Sequence, residues 1–361
     1  MMRVTFLIIA GLFFCLTGEA QVWLFDQFPR TYVAYRATSP ISTDGLLDES
    51  DWQNVPWTED FVDIEGDKMP APLHRTRVKM LWDDDYLYIA AELDEPHIWA
   101  TYTERNSVIF HENNFEVFID PNGDTHNYYE YEVNALGTEW DLFLTKPYRN
   151  AGIPMSAWHI TGLEKGIHLK GSINDPSDTD TLWRIELAFP WKILSECAPG
   201  RRRPRASEQW RMNFSRVEWR LDISEGKYVK RINPETGKHF PEYNWVWSPQ
   251  GVIDMHRPES WGFVQFSDLS AGQGKDDFVI NPDEYIKFAL REFYYLQLAY
   301  KRNNGIYALK QNDLTRENIK VNGKVFKPDF EVSRTRFKLS FPSNDGKSSW
   351  HIVEDGRIWK E

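Results

Sequence analysis

Glu116, Phe118 and Asp120 alternate along the run Phe115–Asp120, so in an extended strand they share one face while Phe115, Val117 and Ile119 share the other. A second run, Tyr128–Asn134, brings Glu130, Glu132 and Asn134 together in the same way. Paired as a hairpin, these runs give one apolar face and one face lined with acids. Carboxylates and amides accept hydrogen bonds from hydroxyls, and aromatic rings cover apolar C–H surface, which together is the chemistry of holding a sugar. Glycoside hydrolysis also uses two carboxylates, about 5–9 Å apart, and Glu116 with Glu130 or Glu132 meets that distance across neighbouring strands. Distance alone is cheap in a chain with 54 acidic residues. No Gly-x-Ser-x-Gly, His-Glu-x-x-His, P-loop or dinucleotide fingerprint accompanies it. On the residues alone, sugar binding, glycoside hydrolysis and the solvated outer face of a sandwich stay open as explanations of the pattern.

The elements that must position these residues are short and aromatic. Val78–Trp82 and Tyr86–Ala90 flank Asp83-Asp84-Asp85, which predicts a strand, a tight turn and a strand. Further strands are expected at Phe115–Asp120, Tyr128–Asn134, Leu182–Phe189, Trp210–Trp219 and Trp261–Phe266. Many strands with Asp, Gly and Pro punctuation predict a mainly β chain with an antiparallel β-sandwich. Ser270–Lys275 reads as a linker. Asn281-Pro282-Asp283-Glu284 then starts a helix, with a capping residue, proline at the first position and a following acid. Ile286, Ala289, Leu290, Phe293, Leu296 and Tyr300 continue it at helical spacing, and Asn303-Asn304-Gly305 stops it. Strands around Phe330–Val332, Arg336–Phe341, Trp350–Val353 and Arg357–Trp359 follow, joined by Asn344-Asp345-Gly346 and Asp355-Gly356 turns. The expected tail is thus a small α+β unit of one long helix and an antiparallel sheet.

Composition narrows the function. The formal charge of −12 gives no cationic face for a nucleic acid. Aromatics make up 15% of the chain, including 16 Trp, more than core filling asks of so large a residue with a polar N–H to satisfy. Arg201-Arg202-Arg203-Pro204-Arg205 is read as a solvated basic loop. Residues 1–20 have a positive start at Arg3, an apolar stretch Val4–Leu16 and a Gly18-Glu19-Ala20 cleavage pattern, which predicts a signal peptide and a secreted or periplasmic protein. Its removal leaves Cys197 alone, with no intramolecular disulfide. Asp120, Asn122 and Asp124 surround Gly123 and offer oxygen ligands to calcium, or make a plain turn.

Read in order, several phrases resemble carbohydrate-binding module family 9 over roughly residues 39–268. They are Asp44-Gly-Leu-Leu-Asp-Glu-Ser-Asp-Trp52, Val78–Tyr88, Phe115–Asp120, Tyr131-Glu-Val-Asn134, Trp210–Arg216 and His256-Arg-Pro-Glu-Ser-Trp-Gly262. The resemblance implies a DOMON-like β-sandwich, usually extracellular or periplasmic, that grips a glycan between two tryptophans and carries structural calcium; it is to a non-catalytic module, so binding without catalysis is the expected activity. It implies that Glu116 is the binding glutamate. Phe110 stands where the first platform tryptophan would be, Glu132 replaces the binding arginine, and Met255 replaces the second tryptophan. Trp245 and Trp247, in a nearby turn-rich segment, are the alternative platform. The expected sugar-binding set is Phe110, Glu116, Glu132, Asn134, Trp245 and Trp247, with a glycan or oligosaccharide as partner and a role in carbohydrate catabolism.

Two other readings stay open. Some DOMON-type sandwiches are electron carriers that hold haem through Met and His, and Met80, Met255 and His256 are available. The tail, including Tyr300-Lys-Arg-Asn-Asn-Gly-Ile-Tyr307, loosely resembles the soluble domain of pilin-like proteins, which implies an envelope structural or assembly protein with a protein partner for the tail. The expected organisation is a signal peptide at 1–20, the sandwich at 39–268, a linker at 269–280 and the tail at 281–361, with no transmembrane segment after signal removal.

Overall fold

The computed structural model describes residues 28–361; the signal-peptide segment lies outside the described residues. Among the described residues, fifteen strands precede the tail. They are β1 (Thr31–Arg36), β2 (Val62–Asp63), β3 (Thr76–Trp82), β4 (Tyr86–Asp94), β5 (Asn114–Asp120), β6 (Tyr128–Val133), β7 (Glu139–Leu144), β8 (Pro154–Met155), β9 (Glu164–Lys170), β10 (Leu182–Pro190), β11 (Gln209–Glu218), β12 (Leu221–Ser224), β13 (Lys227–Lys230), β14 (Tyr243–Val246) and β15 (Gly262–Ser270). Eleven form one continuous hydrogen-bonded path, β8-β7-β6-β5-β11-β15-β1-β3-β4-β10-β9, and β14 and β2, added beside the far end of β11, complete a thirteen-stranded sheet. Pairing is antiparallel except at β1, which lies parallel to both β15 and β3. That strand joins the two halves of the sandwich, and the sequence reading, whose domain begins at residue 39, did not include it.

Period-two alternation fixes what is buried. Phe115, Val117 and Ile119 of β5, Tyr129, Tyr131 and Val133 of β6, and Trp210, Met212 and Phe214 of β11 meet Val78, Met80, Trp82 and the inward residues of β4 and β10 in one apolar core. Tryptophan is the filler here. Trp82, Trp191, Trp210 and Phe266 pack edge to face with ring centroids 5.4–6.3 Å apart, the preferred geometry of aromatic quadrupoles. Trp82 Nε1 and Trp191 Nε1 donate to the carbonyls of Ser267 and Asp83, each at 2.9 Å.

The tail consists of the long helix Asp283–Asn304, a hairpin of β16 (Ile319–Val321) and β17 (Lys324–Phe326), and an antiparallel sheet of β18 (Asp329–Val332), β19 (Phe337–Pro342), β20 (Ser349–Val353) and β21 (Ile358–Lys360). Ile286, Ala289, Leu290 and Phe293 recur at helical spacing and bury against Phe337, Leu339, Ile352 and Ile358. Phe263 of β15 belongs to the same cluster, so the tail core runs onto the sandwich. Residues 269–280 are pinned along the way: Gln209 Nε2 donates to Val279 O at 2.7 Å, Gln265 Nε2 to Asp277 O at 3.0 Å, and Asp276 N to Tyr35 Oη at 3.0 Å.

Candidate functional site

The register of four strands turns the acidic alternation into rows. On the face opposite the core, Ser215 of β11, Glu116 of β5, Glu132 of β6 and Trp140 of β7 stand side by side. The next row is Asn213, Phe118, Glu130 and Leu142. This face is not solvated: Glu116 is 4% exposed, Glu130 5% and Glu132 2%. Asn114 Nδ2 donates to Glu116 Oε1 at 3.0 Å, and Phe110 N donates to Glu132 Oε2 at 2.9 Å. Glu130 Oε2 takes no donor from outside the carboxyl cluster. Its closest basic neighbour, His256, holds Nε2 3.9 Å away, but burial and then Arg149 push that imidazole down to about 3, so it is neutral at ordinary pH.

Burial raises all three carboxyls. Glu116 is carried up to about 7, against the pull of Asn114 and Ser215 and with Glu242 adding to the rise. Glu130 rises well above its ordinary range through burial and then Glu116. Glu132 does so through burial, Glu116 and Glu130. Each ionised group makes the others harder to ionise, which is the behaviour of like charges in a poorly hydrated place.

A loop brings aromatic surface to this acidic floor. Glu112 accepts from Thr101 N at 2.7 Å, from Tyr102 N and from Asn134 Nδ2, and so ties the segment carrying Phe110 to the end of β6. Phe110 is 37% exposed and stacks on Trp140 at 6.5 Å and 24°. Its carbonyl accepts from Trp219 Nε1 at 3.0 Å. Lys230 Nζ lies 3.4 Å from the Trp219 ring. Tyr148, half exposed, packs edge-on to His256, and its hydroxyl pKa is pushed up by burial and by Glu130 and Glu132.

Phe110, Glu116 and Glu132 therefore converge. Three other members of the expected set do not. Asn134 is wholly buried at a turn, where Oδ1 accepts from Leu136 N and Thr138 N while Nδ2 donates to Tyr102 O and Glu112, leaving nothing for a ligand. Trp245 and Trp247 are 1% and 0% exposed on the core side. Trp245 stacks on Tyr243 with Arg216 5.3 Å from its ring, and Trp247 packs on Phe214; neither offers a ring face to a sugar. The turn-rich surroundings suggested exposure, but β14 pairs with β11 and alternation carries both indoles inward. Sequence reading left out Ser215, Trp140, Tyr148 and Trp219. Alternation signals which residues share a face, whereas only strand register reveals that Trp140 and Ser215 end the row of Glu116 and Glu132.

The metal and haem candidates resolve in the same way. Asp120 accepts from Gly123 N at 2.9 Å and Thr125 N at 2.8 Å, Asn122 Oδ1 from Asp124 N, and Asp124 Oδ1 from His126 N. Those oxygens shape the Asp120–His126 turn, and Arg357 lies 4.0 Å from Asp124. His74, Glu95 and Glu218 place ligand atoms within 4.8 Å of one another, yet the Arg216 guanidinium already sits 2.7 Å from Glu95 and 2.9 Å from Glu218. Of the haem candidates, Met80 lies in the inner core and Met255 in the cluster on the opposite face, while His256 packs on Phe118 and Tyr128 with Nδ1 2.9 Å from the Tyr128 hydroxyl.

The comparisons with known proteins bear on the strands that carry this face. Residues 43–200 match the family described as carbohydrate family 9 binding domain-like. That segment is similar to family 9-like carbohydrate-binding domains. A family 9 carbohydrate-binding module from Caldicellulosiruptor kristjanssonii, solved with glucose and with cellotriose, is 16% identical over 70% of this chain and the whole of its own, with TM-scores of 0.43 and 0.41. A candidate carbohydrate-binding protein from Bacteroides uniformis ATCC 8492 is 14% identical over 66% of this chain and all of its own, with a TM-score of 0.49. No curated protein matches the sequence. The family 9-like match contains β5, β6 and β7, hence Phe110, the three glutamates and Trp140; Ser215 and Trp219 come from the β11 region beyond it.

Proposed function

We propose that this is a secreted or periplasmic protein that binds a glycan or oligosaccharide on the outer face of β7-β6-β5-β11 and does not hydrolyse it. The observation that carries the reading is the place of the family 9-like match, which contains the strands bearing Glu116 and Glu132 beside Phe110. Phe110 and Trp140 supply an aromatic surface for C–H faces, and the glutamates accept from hydroxyls. Hydrolysis needs two carboxyls whose environments drive them apart, one held as acid and one as base; here burial moves Glu116, Glu130 and Glu132 in the same direction. The tail, continuous with the sandwich through Phe263, is the part free to meet an envelope partner.

Titration calorimetry with a panel of soluble oligosaccharides, with tryptophan emission followed in parallel, tests the proposal. Saturable binding is expected. Phe110→Ala should weaken it at least tenfold with an unchanged melting temperature, and no reducing sugar should be released. Absence of binding across the panel would refute a sugar-binding role. Release of reducing sugar that stops on Glu116→Gln would make the protein a hydrolase.

A further inference from the structure

The acids of this face lack a counter-charge. Among the described residues no Lys or Arg forms an ion pair with Glu116, Glu130 or Glu132, and the charged groups that act on them are each other and Glu242. The nearby Arg149 is spent elsewhere: its Nη2 lies 2.8 Å from Glu259, and Asp254 is 3.5 Å from its Nη1. Some other buried acids have cations, while Asp51, Glu112 and Glu186 form no ion pair among the described residues and are each held instead by several N–H and O–H donors. Glu92 is held by Arg77 and Arg184, both at 2.6 Å, and Glu95 by Arg216. Burying ionisable acids without a partner costs several kcal/mol in general, so three together in one place mark a site completed from outside.

Uncommitted polar atoms point the same way. The Glu130 carboxyl is hydrogen-bonded only to its neighbour Glu132, and its Oε2 takes no donor from outside the cluster. The Ser215 hydroxyl, 0% exposed and next to Glu116 in the row, makes no well-formed hydrogen bond, though it is close enough to draw the Glu116 carboxyl down. At the other end of the row Trp140 Nε1 is also unpartnered. Donors and acceptors are thus left vacant around the acids, flanked by the rings of Phe110 and Trp140.

We infer that the sugar this face selects carries a positive charge, an amino sugar whose ammonium group sits among Glu116, Glu130 and Glu132. The inference rests on the sugar-binding reading and gives it a substrate class. An ammonium presents three N–H donors and no acceptor, which suits three carboxyls that release their protons to solvent as it enters; a neutral hydroxyl supplies one donor and no charge for them to ionise against. Adjacent aromatic faces attract the same cation through their quadrupoles, while ring hydroxyls can engage Ser215 and Trp140 Nε1.

Three β-1,4-linked disaccharides that differ only at C2 provide the test: the glucosamine dimer with its free amine, N,N′-diacetylchitobiose with an acetamide, and cellobiose with a hydroxyl. Calorimetry is run on the full chain at about pH 6, where the sugar amine is protonated, with calcium chloride alone as a fourth titrant. The amine is expected to bind at least tenfold more tightly than either neutral sugar. Glu130→Gln combined with Glu132→Gln should cost the amine at least tenfold more affinity than it costs cellobiose, which loses only hydroxyl contacts. Cellobiose binding as tightly as the amine overturns the inference and leaves the sugar-binding reading standing. A preference undiminished by the double substitution also overturns it, as does calcium occupying the acids in place of sugar. If no disaccharide binds, the sugar-binding reading falls and takes this inference with it.

Discussion

Glu116 on β5 stands directly across from Glu132 on β6, two buried carboxyls in cross-strand register with no basic side chain paired to either among the described residues. Like charges in that position ordinarily weaken a sheet. The pair is tolerated because burial keeps protons on it, so stability should follow those protons.

The sign follows from linkage. The folded-state pKa of Glu116 is raised from 4.5 to about 7, so the folded chain holds this proton more tightly than the unfolded one. Its contribution is fully present below the unfolded value and is lost as pH rises toward and through 7. For Glu116 alone the loss is on the order of 3 kcal/mol. Thermal unfolding of the wild type and of Glu116→Gln from pH 5 to 8 is the check. The wild-type melting temperature should fall more steeply with pH, and parallel profiles would show that the carboxyl is not buried in this way.

Trp247 and Gly262 make a sharper mechanical prediction. A Cβ at Gly262 would lie 2.3 Å from a ring atom of Trp247 and 2.9 Å from the Arg30 carbonyl. Neither the fully buried indole nor the backbone can retreat. Gly262→Ala should cost about 1–3 kcal/mol, the usual penalty of overpacking, read as a lower denaturant midpoint. Double substitution with Trp247→Phe should recover part of it, because the smaller ring withdraws the clashing atoms. Additive losses would contradict the contact.

How much of this was legible beforehand varies with the kind of signal. Alternation located β3, β4, β5, β6, β10 and β11 to within a few residues, and helical spacing with Asn281-Pro282 at the start gave the long helix. Local chemistry sufficed there. The shared face of Glu116, Glu130 and Glu132 was readable for the same reason. Strand β1 was missed because its place depends on parallel pairing with two distant strands, which leaves no mark in a local pattern. Trp245 and Trp247 were misread because a Pro- and Asn-rich context says a chain turns, not which side of the sheet its side chains face. Phe110 came from the family pattern, and Trp140 became part of the site only through register.

Arg216 should be among the least replaceable residues of the sandwich. It is 1% exposed, donates to Thr76 Oγ1 at 3.1 Å and Asp94 O at 2.9 Å, and pairs with both Glu95 and Glu218. Removing one partner of a buried ionic network strands the others. Arg216→Met should therefore cost about 3–5 kcal/mol despite its similar length, measurable by urea unfolding. A loss below about 1 kcal/mol would place the pair in the weak, solvent-screened class instead.

Asp283 joins the helix to the tail sheet and should behave oppositely to Glu116 with pH. Its carboxylate accepts from Ser343 Oγ at 2.8 Å, Asn344 N at 3.0 Å and Trp350 Nε1 at 2.9 Å, and pairs with Lys360 at 3.0 Å. Burial opposes ionisation, but these donors prevail and hold the group well below the usual carboxylate range. A depressed folded-state pKa stabilises above the unfolded value and is lost as pH falls through the folded one, so this contribution weakens in acid. Asp283→Asn removes the charge-assisted bonds, each kind being worth about 1.5–3 kcal/mol. Amide hydrogen exchange should report it locally, with β19 and β20 losing protection near neutral pH while β5 and β6 keep theirs. The variant should lose little further tail protection on acidification where the wild type does. Equal acid sensitivity in the two proteins would mean that Asp283 does not hold the sheet to the helix.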